Sequence, residues 1–287
     1  MLPSLILAST CFGTPVASSE QASLPKVTLR ARSLQPGEVV GITVESSRPL
    51  KSVEAEVFGK TFPCYFEKPV WRGLIGIDLE VKPGLYTVQI RAEDSAGAPI
   101  LVEHPLTVLS KVFPTRRLTV NEKFVNPPHE VQDRISRESK KLEEIFTTVT
   151  GQRLWKGPFG KPVPGMPSSS FGKRSILNNQ PRSPHSGADF DVETGTPVKA
   201  PNSGRVILAS DLYFSGNTVI VDHGQGLYSY FGHLSKFIVE KGMEVRRGDL
   251  LGYVGATGRV TGPHLHWSIR LVGTRVDPMS LLAAARE

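Results

Sequence analysis

The chain has 287 residues, a formal net charge of +7 and a sequence pI near 9.4. That length accommodates two domains with cores of their own, and the basic balance suits either plain solubility or an anionic partner such as nucleic acid, a membrane surface or an anionic polymer. No helix-turn-helix, RNP or basic-region pattern occurs, which argues against nucleic acid, and two cysteines, Cys11 and Cys64, are too few for a disulfide framework or a thiolate metal site.

Residues 1–19 read as a signal peptide. The run from Met1 to Gly13 is short and apolar, Val16-Ala-Ser18 offers small residues for cleavage, and no Lys or Arg precedes residue 26, so the basic n-region is missing. Leu7-Ala-Ser-Thr-Cys11 is only a loose lipobox, because Thr sits where a smaller residue is usual. No other apolar stretch is long enough to span a bilayer. The expected location is therefore periplasmic or secreted, with Cys64 the single cysteine left after cleavage.

Residues 25–110 predict an immunoglobulin-like β-sandwich. Val40, Ile42 and Val44 alternate with Val39, Gly41 and Thr43, and Val53, Ala55 and Val57 alternate with Glu54 and Glu56. Tyr86, Val88, Ile90 and Ala92 share a face between the turns Lys82-Pro-Gly84 and Asp94-Ser-Ala-Gly97. Period-2 runs broken by Gly, Pro and Asp turns have this meaning. No catalytic cluster lies here, so a spacer or lid is expected. Residues 111–150 read as a linker with Phe113-Pro-Thr-Arg-Arg117, then one helix over about 128–149 carried by Val131, Ile135, Leu142, Ile145, Phe146 and Val149.

Residues 151–287 form the expected C-terminal unit. Its start, 151–182, is rich in Gly, Pro and Ser and suits the wall of a substrate groove. Beyond it come short strands at Val206–Leu208, Thr218–Val221, Leu227–Phe231, Leu250–Val254 and Leu265–Leu271, an antiparallel β architecture. Arg247-Gly-Asp249 and Gly252-Tyr-Val-Gly255 also resemble turns of lipoyl or biotinyl carriers, a fold that would leave the histidines unexplained.

Two motifs carry the chemistry: His185-Ser-Gly-Ala-Asp189 and His264-Leu-His266, roughly eighty residues apart. Residues at i and i+2 of a strand share a face, so His264 and His266 point together. Two imidazoles and a carboxylate make an open zinc set, leaving a further histidine to act on water. The pattern predicts a zinc hydrolase.

Ser183-Pro-His185-Ser-Gly-Ala-Asp189-Phe, Tyr230-Phe-Gly-His233-Leu and Thr261-Gly-Pro-His264-Leu-His266 together resemble peptidase family M23, the lysostaphin/LytM-type zinc endopeptidases of bacterial cell walls. The resemblance covers roughly Phe171 to Pro278 and implies a LytM/lipoyl-like β-roll. It also implies that His185, Asp189 and His266 bind Zn2+ and that His233 and His264 are catalytic, with His264 assigned to the water and His233 to the oxyanion or leaving group. Asp191 suits a supporting place. His104 and His129 read as surface residues, and His223 as a hairpin-turn residue that could touch substrate.

The implied reaction is hydrolysis of peptide cross-links in peptidoglycan stem peptides, at D-Ala–meso-diaminopimelate or at glycine bridges. The first is preferred, because the motif context is closer to Gram-negative-type members and no SH3-type wall-binding domain follows. The competing reading is a catalytically inactive relative that activates cell-wall amidases; either is compatible with a regulatory protein partner. Asn121, Glu122 or Asn126 in the linker could also supply an oxygen that closes the metal's open position.

Overall fold

The computed structural model describes residues 23–119, 127–168 and 171–284. The signal-peptide segment with Cys11, and the linker residues Asn121, Glu122 and Asn126, lie outside the described residues.

The first sheet is built from β1 (Lys26–Arg30), β2 (Val39–Glu45), β3 (Leu50–Val57), β4 (Lys60–Glu67), β5 (Val70–Gly76), β6 (Gly84–Asp94) and β7 (Pro99–Val108). Its order is β1-β2-β5-β4-β3-β6-β7, with β4 pairing both β5 and β3 and so joining the two halves. Every pairing is antiparallel. The alternating apolar residues do the expected work: Val40, Ile42, Val44, Val53, Ala55, Phe62, Val88 and Ile90 are buried in one cluster. Cys64 is buried among them as a free thiol, and burial pushes its pKa up to about 12.

The chain between the two large sheets is more structured than a linker. Strand β8 (Thr115–Leu118) precedes helix α1 (His129–Thr147), and after the helix come β9 (Arg174–Leu177) and β10 (Gln180–Pro181). These make a three-stranded sheet, order β10-β9-β8, with β8 parallel to β9. Parallel partners distant in sequence leave no hairpin signal, which is why 111–118 reads as linker. Helix α1 starts at His129, with Pro128 at the N-cap in an extended conformation rather than in the first turn. Leu142, Ile145 and Phe146 lie on one stripe and pack on Leu208, Leu212, Ile220 and Tyr228.

The second large sheet comprises β11 (Gly187–Phe190), β12 (Pro197–Lys199), β13 (Gly204–Leu212), β14 (Gly216–Gly224), β15 (Leu227–Phe237), β16 (Glu244–Val245), β17 (Leu250–Val254), β18 (Leu265–Leu271) and β19 (Thr274–Val276), closed by helix α2 (Pro278–Ala284). The main order is β11-β18-β15-β14-β13-β16; β17 pairs β12 and β15, and β19 pairs β18. Trp267, Phe190, Phe231 and Leu265 are buried on one face, leaving the other face of β11, β15 and β18 for polar side chains.

The two large sheets are bolted together. Val39 N donates to Ser280 Oγ (2.8 Å), and Ser280 Oγ donates to the buried Glu38 carboxylate (2.8 Å). Arg32 reaches both Glu38 and Asp277 at 2.7 Å. Arg275 grips Asp78 at 2.6 Å, which holds that carboxyl below its ordinary range against the opposing effect of burial.

Candidate metal centre and active site

Strand pairing brings the first two candidates together. Asp189 on β11 sits directly opposite His266 on β18, so their side chains share a face at Cβ distances of about 5 Å. His185 lies on the stretch entering β11, tied down by His185 N to Lys173 O and Gly172 N to His185 O, 2.9 and 2.8 Å. Gly187 leaves the space for His266: a Cβ there would stand 2.5 Å from Trp267 O and 2.7 Å from the imidazole.

Three donor atoms converge. His266 Nδ1 is 2.8 Å from Asp189 Oδ1, His185 Nε2 is 3.0 Å from the same oxygen, and the two nitrogens are 3.2 Å apart. Lone-pair donors this close repel unless a proton or a cation lies between them. Zinc with bonds near 2.0–2.1 Å in a tetrahedral shell sets its ligands about 3.3 Å apart, close to this triangle. All three side chains are only partly exposed, at 15–21%. Burial pushes the Asp189 carboxyl up, but hydrogen bonds and charge from His185 and His266 outweigh it and hold it well below the carboxylate range. Burial lowers the His266 pKa, with Asp189 opposing. A deprotonated carboxylate beside neutral imidazoles is the state a metal requires.

His233 and His264 flank this triangle. Their ring centroids are 4.8 Å apart, His233 is 6.1 Å from His266, and His264 Nε2 is 4.0 Å from Asp189 Oδ1. Each Nδ1 faces a backbone carbonyl, Thr257 O at 2.9 Å for His233 and Gly262 O at 3.0 Å for His264. A carbonyl only accepts, so Nδ1 carries the proton in both neutral rings and Nε2 offers its lone pair. Burial lowers the His233 pKa to about 4, against smaller opposing effects from Thr257 O and Asp189.

His233 reaches this position through an irregularity. Between Asn217–Leu234 and Val219–Phe231 the β14–β15 register gains a residue, a bulge around Gly232 and His233. His233 adopts φ +64°, rare for a residue with a Cβ, and its N–H donates to Ser215 O at 2.7 Å. Thr257 then ties the loops together: its hydroxyl donates to Leu234 O and accepts from Asn217 N. Helix α1 supports the same loop, because Glu138 accepts from Tyr213 N at 2.8 Å and Arg134 pairs with Asp211.

The expectation for His223 is corrected. His223 is fully buried within β14, not in a turn; Nδ1 donates to Ser203 O and Nε2 accepts from Ser229 Oγ, at 2.8 and 2.9 Å. With both nitrogens engaged it cannot touch substrate. Asp191 is exposed, past the end of β11, and is not among the three converging donors. Ser215 and Thr257 went unnoticed in the sequence, since their work is done by backbone oxygens and, for Thr257, also a hydroxyl; Gly187 stood within a motif without a role, since its work is done by an absent side chain. Tyr230, whose ring is 6.0 Å from His266, stood in a quoted motif yet received no role.

The family model for peptidase family M23 matches residues 183–278. Peptidoglycan DD-endopeptidase ShyA of Vibrio cholerae is 41% identical over 113 residues, covering 39% of this chain and 26% of ShyA. DD-carboxypeptidase/endopeptidase Mpg of Neisseria meningitidis is 40% identical over 97 residues, 34% of this chain and 22% of Mpg. The matched segment thus spans about a quarter of these curated relatives. A crystal structure from Pseudomonas aeruginosa, described as a candidate peptidase M23, aligns over 88% of this chain and 97% of that one, at 35% identity and a TM-score of 0.69. Alignment of nearly the whole of that protein, together with the matched motif block, means that this chain belongs to peptidase family M23.

Proposed function

We propose that the chain is a zinc metalloendopeptidase acting outside the cytoplasm on peptide cross-links of peptidoglycan. The observation that carries this reading is the triangle of His185 Nε2, Asp189 Oδ1 and His266 Nδ1 within 3.2 Å, flanked by two histidines that each present a free Nε2. In this reading His185, Asp189 and His266 hold zinc, and the complete set argues against an inactive amidase activator. Bound there, zinc would supply Lewis acidity toward a carbonyl oxygen and would acidify water.

The chain's own groups supply the rest. His264 Nε2, nearest the carboxylate, takes a proton from the attacking water. His233, held by Thr257 O and Ser215 O, lies beside His264, the ring centroids 4.8 Å apart. The proton that His264 takes from the water can pass to His233 Nε2 on that neighbouring ring, and from there to the oxyanion or the leaving amine. The fixed Nδ1 contacts keep each ring in the tautomer this transfer needs. Residues 25–110 serve as a rigid support, and 151–287 carry the chemistry. The bond we assign is D-Ala–meso-diaminopimelate. Digestion of purified cross-linked muropeptides tests this directly by mass analysis. Dimers cut to monomers with a new D-Ala carboxyl terminus support the reading. Dimers left intact by zinc-loaded protein refute it.

A further inference from the structure

A cavity of about 900 Å³ lies where the first sheet, β8 and the β9–β10 hairpin meet. Strand geometry explains its lining. Thr115 and Arg117 share one face of β8, and their parallel neighbours Arg174 and Ile176 share the same face of β9. Pro181 on β10 pairs with Ile176 and joins that face. Arg182 follows, its N–H donating to Ser175 O at 2.9 Å, and Pro184 completes the wall immediately before His185.

The charge is one-sided. Three guanidinium groups, from Arg117, Arg174 and Arg182, line the cavity against a single carboxylate, Glu80. Glu80 is 3.3 Å from Arg275, outside the lining, so it is already shared with a cation. Arg117 and Arg174 are exposed. Planar guanidinium forks match carboxylates in bidentate geometry. Between them lie Leu79, Ile176 and Pro181, apolar surface suited to methyl-bearing peptide rather than to a free inorganic ion.

We infer that this cavity is a subsite for a carboxylate-bearing peptide strand, holding the anionic end of the cross-linked chain whose peptide bond reaches His185. The inference rests on the peptidoglycan reading for the identity of the strand, since stem peptides carry free carboxylates. Pro184 of the cavity wall is the chain neighbour of His185, so a strand seated on the arginines lies one residue from the donor triangle.

The test is equilibrium binding of a cross-linked tetrapeptide muropeptide to the zinc-loaded full chain carrying His264→Ala to stop turnover. The same muropeptide with its free carboxylates amidated is the second ligand. Amidation is expected to weaken binding to the parent by roughly tenfold or more, the range for losing charge-assisted hydrogen bonds. Arg117→Gln with Arg174→Gln should weaken the carboxylate form by a similar factor and leave the amidated form unchanged. Arg174→Lys should recover only part. The amidation arm needs no variant in the cavity, so a folding defect cannot mask the answer. Equal binding of both ligands to the parent overturns the inference, as does an equal loss for both ligands in the double variant. So does displacement by inorganic phosphate with no response to amidation. Cleavage by the wild type is measured in parallel. Cleavage without carboxylate dependence removes the subsite and leaves the peptidase; carboxylate-dependent binding without cleavage does the reverse.

Discussion

Gly187→Ala isolates the packing that shapes the donor triangle without removing any donor. The new methyl would stand 2.5 Å from Trp267 O and 2.7 and 2.8 Å from His266 Cε1 and Nε2. Ordinary contact needs about 3.5 Å, so the shortfall is about 0.7–1 Å. Trp267 O belongs to the β11–β18 ladder, paired through Ala188 and Trp267, and cannot retreat cheaply. The imidazole must move instead, by several times the roughly 0.2 Å that metal coordination tolerates. We expect zinc affinity to fall by about 10- to 100-fold. The rate in saturating zinc should fall by about 100-fold. The global stability cost should stay near 1–3 kcal/mol, as for other overpacked sites. Chelator competition reads the zinc affinity, and denaturant unfolding reads the stability. If zinc affinity is unchanged while the protein remains folded, the space at Gly187 does not position His266 and the packing argument is wrong.

His266→Ala should strip most of the zinc, read by metal analysis, while the first sheet keeps its unfolding transition. His233→Ala and His264→Ala should retain zinc yet lose roughly two to four orders of magnitude in turnover of muropeptide dimers; a variant that loses metal would move that histidine into the coordination shell. Thr257→Val removes the hydroxyl that ties Leu234 O to Asn217 N but leaves the backbone acceptor of His233, so turnover should fall with zinc intact. Ser280→Ala leaves the buried Val39 N–H without a partner and takes one hydrogen bond from Glu38, an expected loss of about 2–4 kcal/mol in urea unfolding; a change below about 0.5 kcal/mol would mean the sheet–sheet contact is not made in solution.

Much of this could be read from residue order, because it follows strand parity. Val40, Ile42 and Val44 alternate and are buried together, and the i, i+2 spacing of His264 and His266 sends both toward Asp189. Parity fails where the ladder is irregular. His233 is two residues from the buried Phe231 and by alternation would point into the core; the bulge at Gly232 turns it out. No composition or period announces a bulge. His223 misleads for the opposite reason: Asp-His-Gly-Gln-Gly looks like a turn, yet the ring is satisfied inside by Ser203 O and Ser229. The β8–β9 pairing joins residues nearly sixty positions apart with a helix between, a contact decided by tertiary packing rather than by local pattern.

Two of the attachments between the halves of the molecule have a consequence for association entropy. One joins β2 and its neighbours to α2 through Val39, Glu38 and Ser280; the other runs from the end of the first sheet through β8 to β9. A body held at two separated points has no free swivel about either. The walls of the arginine-lined cavity, drawn from three distant stretches of chain, therefore stand at fixed separation before any strand arrives. A strand docking in the subsite proposed above would surrender its own disorder but need not also freeze the receptor. Selectivity then falls on the shape and charge spacing of the guest, and a strand whose anionic group sits one residue too far from its scissile bond is excluded by distance alone.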